Sequence, residues 1–286
     1  KKTRALDMVT KTLTKMARGG LNDQLAGGFH RYSVDQHWQV PHFEKMLYDN
    51  ALLPLVYLEA WQATKNSFFT DVAKQTLDWT LSEMRNKKGG FYSAQDAESD
   101  GKEGTYYVWT KDEVVQILDQ RNAEIFSKHY GVSEEGNFKK DNNILHIAKD
   151  LKMIASELSI SETDVKQSLE QSKKIILKHR NKRIKPATDD KILTSWNGLM
   201  ISALSKAYQI LDDERYLQAA EGSADFILNN LLDGEDLNRR WRDGEAAVDG
   251  LLEDYAFMVM GLIDLYESNF DISKLEVALK LNQIMV

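Results

Sequence analysis

Apolar residues recur with a helical period along most of the chain, and the helices that they predict are of two kinds. Over residues 43–61 apolar side chains occupy every face, which predicts a helix that is buried on all sides. The next helix, over residues 71–85, has one apolar stripe and a polar opposite face. That pattern is typical of a helix with one side against the core and the other side in solvent.

The same alternation occurs twice more. The segment that begins at Trp196 is apolar or small on all faces and precedes an amphipathic helix over 214–231, and a further pair is predicted over 251–266 and 273–284. Buried and half-exposed helices in succession predict two concentric layers. We therefore expect an all-α fold, an α/α toroid that is incomplete in this chain, although a helical solenoid would give a similar alternation. Strand signals are confined to short pieces such as residues 105–109.

A weak internal repeat supports the layered arrangement. Residues 48–53, 195–200 and 253–258 can be aligned with one another, and each segment opens a predicted inner helix. The loops that precede inner helices, at 27–41, 89–104, 184–194 and 238–250, are rich in aromatic residues and carboxylates. In a toroid these loops would gather at one mouth.

Composition narrows the function classes. The 286 residues are 42% hydrophobic, which is enough for a packed core, and we expect one domain over 1–286 with an irregular insertion around 89–160. The net charge of −7 and the scattered basic residues argue against a nucleic-acid partner. The chain has no cysteine, no membrane-length apolar run and no nucleotide-binding, zinc-protease or seryl-hydrolase motif. We expect no cofactor, no membrane partner and a cytoplasmic location.

The stretch from residue 27 to 50 holds three of the chain's six histidines, together with acids and aromatics. His30 and His42 are candidates for proton transfer because histidine changes charge near neutral pH. On an ideal helix His42, Met46 and Asp49 share one face, so His42 and Asp49 would project from the rim of a cavity. An ordinary helix start, with a capping histidine and a carboxylate at the positive end of the helix dipole, explains the same residues.

Two further carboxylates are catalytic candidates. Asp96 lies in an acidic loop whose spacing resembles a calcium loop, but Tyr107 stands where that loop needs a bidentate glutamate, so no metal site is predicted. Asp254 opens the third inner helix. Asp96 could act as acid or base against either Asp49 or Asp254.

Aromatic faces with nearby polar groups are what a sugar requires, since rings stack on its C–H surface while polar groups bind its hydroxyls. Each aromatic residue taken alone is explained equally by core packing. The candidates for binding a carbohydrate-like ligand are Phe29, Arg31, Tyr32, Phe91, Tyr92, Asp190, Trp196, Asn197, Trp241 and Tyr255.

Four blocks carry a family resemblance: GGFHRYSVD (27–35), VPHFEKMLYDN (40–50), DDKILTSWNG (189–198) and LEDYA (252–256). The chain resembles the YyaL-like family, whose members include the spermatogenesis-associated, thioredoxin-domain-containing proteins. The resemblance implies a thioredoxin-like domain followed by an α/α toroid similar to six-hairpin glycosidases and N-acylglucosamine 2-epimerases. This sequence lacks the thioredoxin-like domain, which is therefore an expected partner. An incomplete ring would expose apolar helix faces.

Two functions fit these residues. The first is a carbohydrate-active enzyme, either a hydrolase with two carboxylates or an epimerase or isomerase that uses His30 and His42. The second is a non-catalytic module that binds a sugar or a protein beside the thioredoxin-like domain. The module predicts carboxylates held by Arg31, Lys45, Lys191 and Arg242, whereas the enzyme predicts acid–base groups that face an open cavity.

Overall fold

The computed structural model describes residues 2–285, and the described residues form eleven helices. None of them combines the length and the apolar character that a membrane-spanning helix needs. In chain order they are α1 (Lys2–Arg18), α2 (Leu47–Thr64), α3 (Ser67–Glu83), α4 (Lys111–Ile117), α5 (Gln120–Tyr130), α6 (Leu151–Leu158), α7 (Glu162–Arg180), α8 (Thr194–Leu211), α9 (Glu214–Asn230), α10 (Leu252–Asn269) and α11 (Ile272–Met285).

The strands are short, and the longest pair forms the antiparallel hairpin β10–β11. The loop expected over residues 238–250 is therefore largely sheet, whereas the strand expected at 105–109 is mostly turn, with a single bridge between Trp109 and Asn143. The strands are β1 (Tyr32–Ser33), β2 (Pro41–His42), β3 (Lys45–Met46), β4 (Ala94–Gln95), β5 (Glu98–Ser99), β6 (Lys102–Glu103), β7 (Thr188–Asp189), β8 (Ile192–Leu193), β9 (Leu232–Asp233), β10 (Asp236–Arg242) and β11 (Glu245–Asp249).

Backbone contacts divide the chain into two compact units. The insertion unit comprises the residues up to Glu44 together with Asp96–Ala187. The hairpin unit comprises Lys45–Gln95 together with the residues from Thr188 onward. The expectation of one domain over the whole chain stays a prediction.

The hairpin unit consists of three helical hairpins, α2–α3, α8–α9 and α10–α11. The first helices of the hairpins are neighbours, because α8 packs against both α2 and α10. Glycines allow the closest approach: a Cβ on Gly198 of α8 would lie 2.5 Å from the backbone oxygen of Phe257, and a Cβ on Gly261 would lie 2.5 Å from the oxygen of Gly198. The predicted inner and outer helices are thus present as successive hairpins.

Each of these inner helices ends in the same way. A residue in the left-handed region stops the helix, namely Lys65, Asp212 or Phe270. The next residue is an Asn or Asp whose side chain accepts a hydrogen bond from the backbone N–H two positions later, which starts the outer helix. These capping residues are Asn66, Asp213 and Asp271. The repeat seen at the starts of the inner helices therefore extends to their ends.

The inner helix α2 differs from its prediction in two respects. It begins at Leu47 instead of residue 43, because the residues before it pair as the short strands β2 and β3. It is also not buried on every side, since Leu52 and Val56, one turn apart on the same face, are 44% and 39% exposed. An apolar face of α2 therefore lacks cover among the described residues.

The insertion unit is more ordered than expected. Residues 89–160 were predicted to be irregular, yet α4, α5 and α6 lie within this range and pack with α7 around a hydrophobic cluster that includes Trp109, Phe126 and Ile176. The helix starts follow capping rules: Thr110 and Ser161 each form a capping box, with Glu113 and Asp164 respectively. The apolar residues of this second core are spread over short helices and polar loops, so no continuous helical period predicted it.

A buried ion pair anchors the first loop of the insertion unit. Arg180 donates to Asp23 Oδ1 at 2.8 Å, and both side chains are only 3% exposed. The same carboxylate oxygen accepts the backbone N–H groups of Leu25 and Ala26. Burial disfavours the charge of Arg180, but Asp23 and the rings of Tyr106 and Tyr107 hold the pKa of Arg180 above its ordinary value. The loop that leads to His30 is thereby fixed to α7.

Candidate functional site

His42 lies in strand β2, so it does not share a helix face with Asp49 as predicted. Its Nδ1 is 2.8 Å from Glu103 Oε1, and its Nε2 is 3.1 Å from Glu44 Oε2. Glu44 also accepts from Arg31 at 2.9 Å. These four side chains form a connected polar group, which we call the His42 cluster, and every member is partly exposed.

The surroundings of the His42 cluster suit a polar ligand. Tyr32 stacks on the imidazole of His42, with ring centroids 5.0 Å apart. Glu103 also lines a cavity of about 890 Å³ in the insertion unit, together with acids, lysines and the ring of Tyr106. An imidazole between two carboxylates can accept a proton on one nitrogen and release one from the other. Through Glu103 the His42 cluster reaches the edge of this cavity.

His30 has a different environment. It is 3% exposed, lies edge-on to the rings of Phe43 and Tyr107, and binds the backbone oxygen of Phe43 through Nδ1 at 3.0 Å. It lines a small cavity of about 20 Å³, which has room for about one water molecule. A sugar could not reach this imidazole, so the contacts of His30 fit a packing role, in contrast to the catalytic role expected from the sequence.

In the hairpin unit, the N-terminal ends of α2, α8 and α10 lie at one end of the structure. Strand β4 pairs with both β3 and β7, which precede α2 and α8 respectively. The backbone N–H of Ser195, in the first turn of α8, donates to Asp254 in the first turn of α10 at 3.0 Å. We call this end, with the loops that reach it, the helix mouth.

Two aromatic rings meet at the helix mouth. Tyr48 of α2 and Trp196 of α8 are both half-buried, and their ring centroids are 4.8 Å apart in an edge-to-face arrangement. Asp49 follows Tyr48 in the first turn of α2 and is also half-buried. A carboxylate at this position is stabilised by the positive end of the helix dipole.

Two other carboxylates at the helix mouth are held by arginines. Asp190 is 2.7 Å from the Nε of Arg242, and both side chains are more than two-fifths exposed. Asp254 is fully buried and is 3.1 Å from an Nη of Arg239. Its two oxygens also accept the backbone N–H groups of Ser195 and Leu251. These contacts give Asp254 a structural role in joining α8 to α10, in contrast to the acid–base role expected.

Several side chains that were expected to bind a ligand instead hold loops in place. Asn197 is fully buried, and its amide both accepts from the N–H of Phe91 and donates to the oxygen of Phe91. Phe29 and Phe91 are fully buried as well, Trp241 packs edge-on against Phe226, and the hydroxyl groups of Tyr92 and Tyr255 accept hydrogen bonds from Asn86 and Leu237. Asn197 thus joins the loop that contains Gly89, Gly90 and Phe91 to the start of α8.

Asp96 is exposed, and its Oδ1 caps the following turn by accepting the N–H of Glu98. It forms no ion pair with another described residue. Across residues 2–285, no three histidine or acidic side chains are placed to hold a metal ion together.

The predicted catalytic residues fall in both units: His30, His42 and Asp96 in the insertion unit, Asp49 and Asp254 in the hairpin unit. Their convergence on a single cavity stays a prediction. The sequence analysis missed Glu44, Glu103 and Arg239 as partners of site residues. Glu44 could have been found, because it lies two positions after His42, and alternate residues of an extended segment share a side. Glu103, 61 positions away, left no such local signal.

Comparison of the sequence with known proteins finds human spermatogenesis-associated protein 20, which is 36% identical over 313 aligned positions that include 98% of this chain. An uncharacterized protein of Caenorhabditis elegans is 32% identical over 97% of the chain. The chain belongs to the spermatogenesis-associated protein 20 family. This confirms the family predicted from the four sequence blocks, although no family model matches. The chain spans about 40% of the human relative.

Comparison of the structure gives the fold. An unsaturated glucuronyl hydrolase from Bacillus sp. GL1, described as responsible for the degradation of glycosaminoglycan, is similar over 98% of this chain and 54% of its own, with a TM-score of 0.53 and 10% sequence identity. This likeness confirms the predicted α/α toroid class, and at this identity it shows the fold alone.

Proposed function

We propose that the helix mouth binds a carbohydrate-like ligand and that the protein acts on it by acid–base chemistry. The observation that carries this proposal is the pair of Tyr48 and Trp196, two half-buried rings from different inner helices at the shared N-terminal end. Rings that are partly exposed and held by a neighbour offer a rigid apolar face to the C–H surface of a sugar. The same unit also holds the exposed pair of Asp190 and Arg242, whose polar groups can bind hydroxyl groups.

We propose Asp49 as the acid–base group of this site. It is adjacent to Tyr48 in the sequence and lies in the first turn of α2, and a carboxylate can serve as a general acid or base. His42 and Asp96 belong to the insertion unit, and their role in proton transfer stays a prediction. His30 and Asp254 are left out because their side chains are buried.

A specific observation also favours the second function, a non-catalytic binding module. Cations that the module hypothesis named contact carboxylates: Arg31 with Glu44, Lys191 with Asp189, and Arg242 with Asp190. In such a module the same rings would bind a sugar without turnover. Because the relatives are longer than this chain, we further propose that a thioredoxin-like domain accompanies it in the whole protein.

Proton exchange separates the two functions. Mono- and oligosaccharides would be incubated with the protein in deuterated water, and NMR would report both deuterium incorporation beside a carbonyl and cleavage of glycosidic bonds. The enzyme proposal predicts turnover of at least one sugar, reduced about 10²- to 10⁴-fold by Asp49→Asn. Binding without turnover across the panel would support the module instead.

The matched control is Asp71→Asn, which removes an exposed carboxylate from the outer helix α3 of the same unit. Its turnover should equal that of the wild type. Equal loss of activity in both variants, or unchanged turnover in Asp49→Asn, would remove Asp49 from the proposal.

A further inference from the structure

Residues 85–90, Arg-Asn-Lys-Lys-Gly-Gly, form a tight turn in the hairpin unit, which we call the basic turn. It lines a cavity of about 440 Å³ together with Leu81 and Gly222. The lining contains three cations, Arg85, Lys87 and Lys88, and no acidic residue. The chain as a whole has 44 acids and 37 bases, so its composition alone does not favour a lining whose charged residues are all cations.

The three cations have no carboxylate partner among the described residues. The acids that flank Gly222 on helix α9 are engaged elsewhere: Glu221 accepts from Asn269 at 2.9 Å, and Asp225 is 2.6 Å from the Nζ of Lys274. Three like charges within four residues repel one another, and a bound anion would relieve that repulsion.

The basic turn is also rigid. The backbone N–H of Asn86 donates to the oxygen of Gly90 at 2.7 Å, and the N–H of Lys88 donates to the side-chain oxygen of Asn86 at 2.7 Å. Lys88 places its ammonium 5.2 Å from the ring centroid of Trp241, so the direction of one cation is fixed. A site that is ordered before binding loses less entropy when its ligand arrives.

Glycines allow close backbone packing at the base of the cavity. The φ of Gly89 is +120°, and a Cβ there would lie 2.4 Å from the backbone oxygen of Gly222, so only glycine fits at this contact. The three cations line a cavity of about 440 Å³ that a phosphate or sulfate group can enter. Arginine and lysine are the side chains that bind such oxyanions in proteins.

We infer that the basic turn is an anion-binding site for a phosphate or sulfate group, either free or carried by a sugar. The lining of the basic turn shares no residue with the ring pair of the helix mouth, so the inference does not depend on the proposed function. Trp196→Leu, which removes a ring at the helix mouth, should leave anion binding unchanged.

NMR titration of the full chain at low ionic strength tests this inference with three probes: inorganic phosphate, glucose 6-phosphate and glucose. We expect phosphate and glucose 6-phosphate to shift the amide signals of residues 85–90 and Gly222, and glucose alone to leave them unchanged. An affinity for glucose 6-phosphate about ten-fold above that of phosphate would identify a sugar-borne group as the ligand, and equal affinities would identify the free anion.

The double variant Lys87→Gln/Lys88→Gln should weaken phosphate binding about ten-fold, and both lysines are exposed, so the fold should persist. The control is Lys139→Gln/Lys140→Gln, which removes the same charge from the insertion unit and should have no effect on phosphate binding. Absence of shifts at residues 85–90 with about 10 mM phosphate, or equal weakening by both double variants, would overturn the inference.

Discussion

The two units of this protein are stabilised in different ways, and the difference explains which features the sequence could predict. The hairpin unit repeats one design three times, with an inner helix, a two-residue connection and an outer helix. Its inner helices contact one another through small residues such as Gly198 and Gly261. The insertion unit has no such repeat, and it buries the ion pair of Asp23 and Arg180 beside its hydrophobic cluster.

The hairpin unit can therefore carry different polar side chains at its helix starts. The insertion unit depends on specific long-range polar contacts. At the helix mouth, the polar groups lie at element ends, where side chains change without altering the packing of the helix bodies. In the insertion unit, the contact of Asp23 with Arg180 joins residues 157 positions apart, and both residues must be present for either to be buried. We expect substitutions in the two units to differ accordingly.

The largest effect should come from breaking the buried ion pair. Arg180→Ala leaves the carboxylate of Asp23 buried without its cation and should lower the free energy of unfolding by about 3–5 kcal/mol. The matched control is Arg18→Ala, which removes the partner of Asp150 in an exposed pair of the same unit and should cost about 1 kcal/mol or less.

Denaturant unfolding followed by circular dichroism measures both values. If Arg180→Ala were no more destabilising than Arg18→Ala, the buried pair would not stabilise the insertion unit, and the contrast between the units would fail.

A smaller effect is expected where inner helices meet. Gly198→Ala places a methyl group against the backbone of Phe257 and should destabilise the protein by about 1–3 kcal/mol. Gly222→Ala is the control within helix α9, because its new Cβ would meet only the flexible end of Arg85. Alanine favours a helix over glycine by about 1 kcal/mol, so Gly222→Ala should be neutral or stabilising. The same denaturant unfolding experiment compares the two variants, and destabilisation of similar size in both would disprove the close helix contact.

Much of the hairpin unit could be predicted because its pattern is local. The apolar period located its helices, and the repeated segments located the starts of α2, α8 and α10. The errors also have local causes. His42 was assigned to a helix because the residues that follow it, 43–61, are apolar. In the structure β1 pairs with β2, and Tyr32 lies opposite His42. Helical periodicity does not reveal a strand pairing between residues ten positions apart.

The candidate site was predictable in part. Tyr48 was absent from the list of ligand-binding residues although Trp196 was present, because their contact joins two inner helices that are far apart in the sequence. Conversely, Asn197 and Asp254 were chosen for polar character at helix starts, where the same residue types also serve as caps and loop anchors. Composition at a helix start cannot distinguish these two uses.

The most direct test of the proposed function is saturation-transfer NMR with a panel of saccharides against the wild type, Trp196→Leu and Trp61→Leu. Trp61 is also partly buried, but it lies near the C-terminal end of α2, beneath the ammonium of Lys65. We predict saccharide binding in the wild type and in Trp61→Leu, and binding about ten-fold weaker in Trp196→Leu. Saccharide binding of equal strength in Trp196→Leu and the wild type, or no binding across the panel, would contradict a carbohydrate site at the helix mouth.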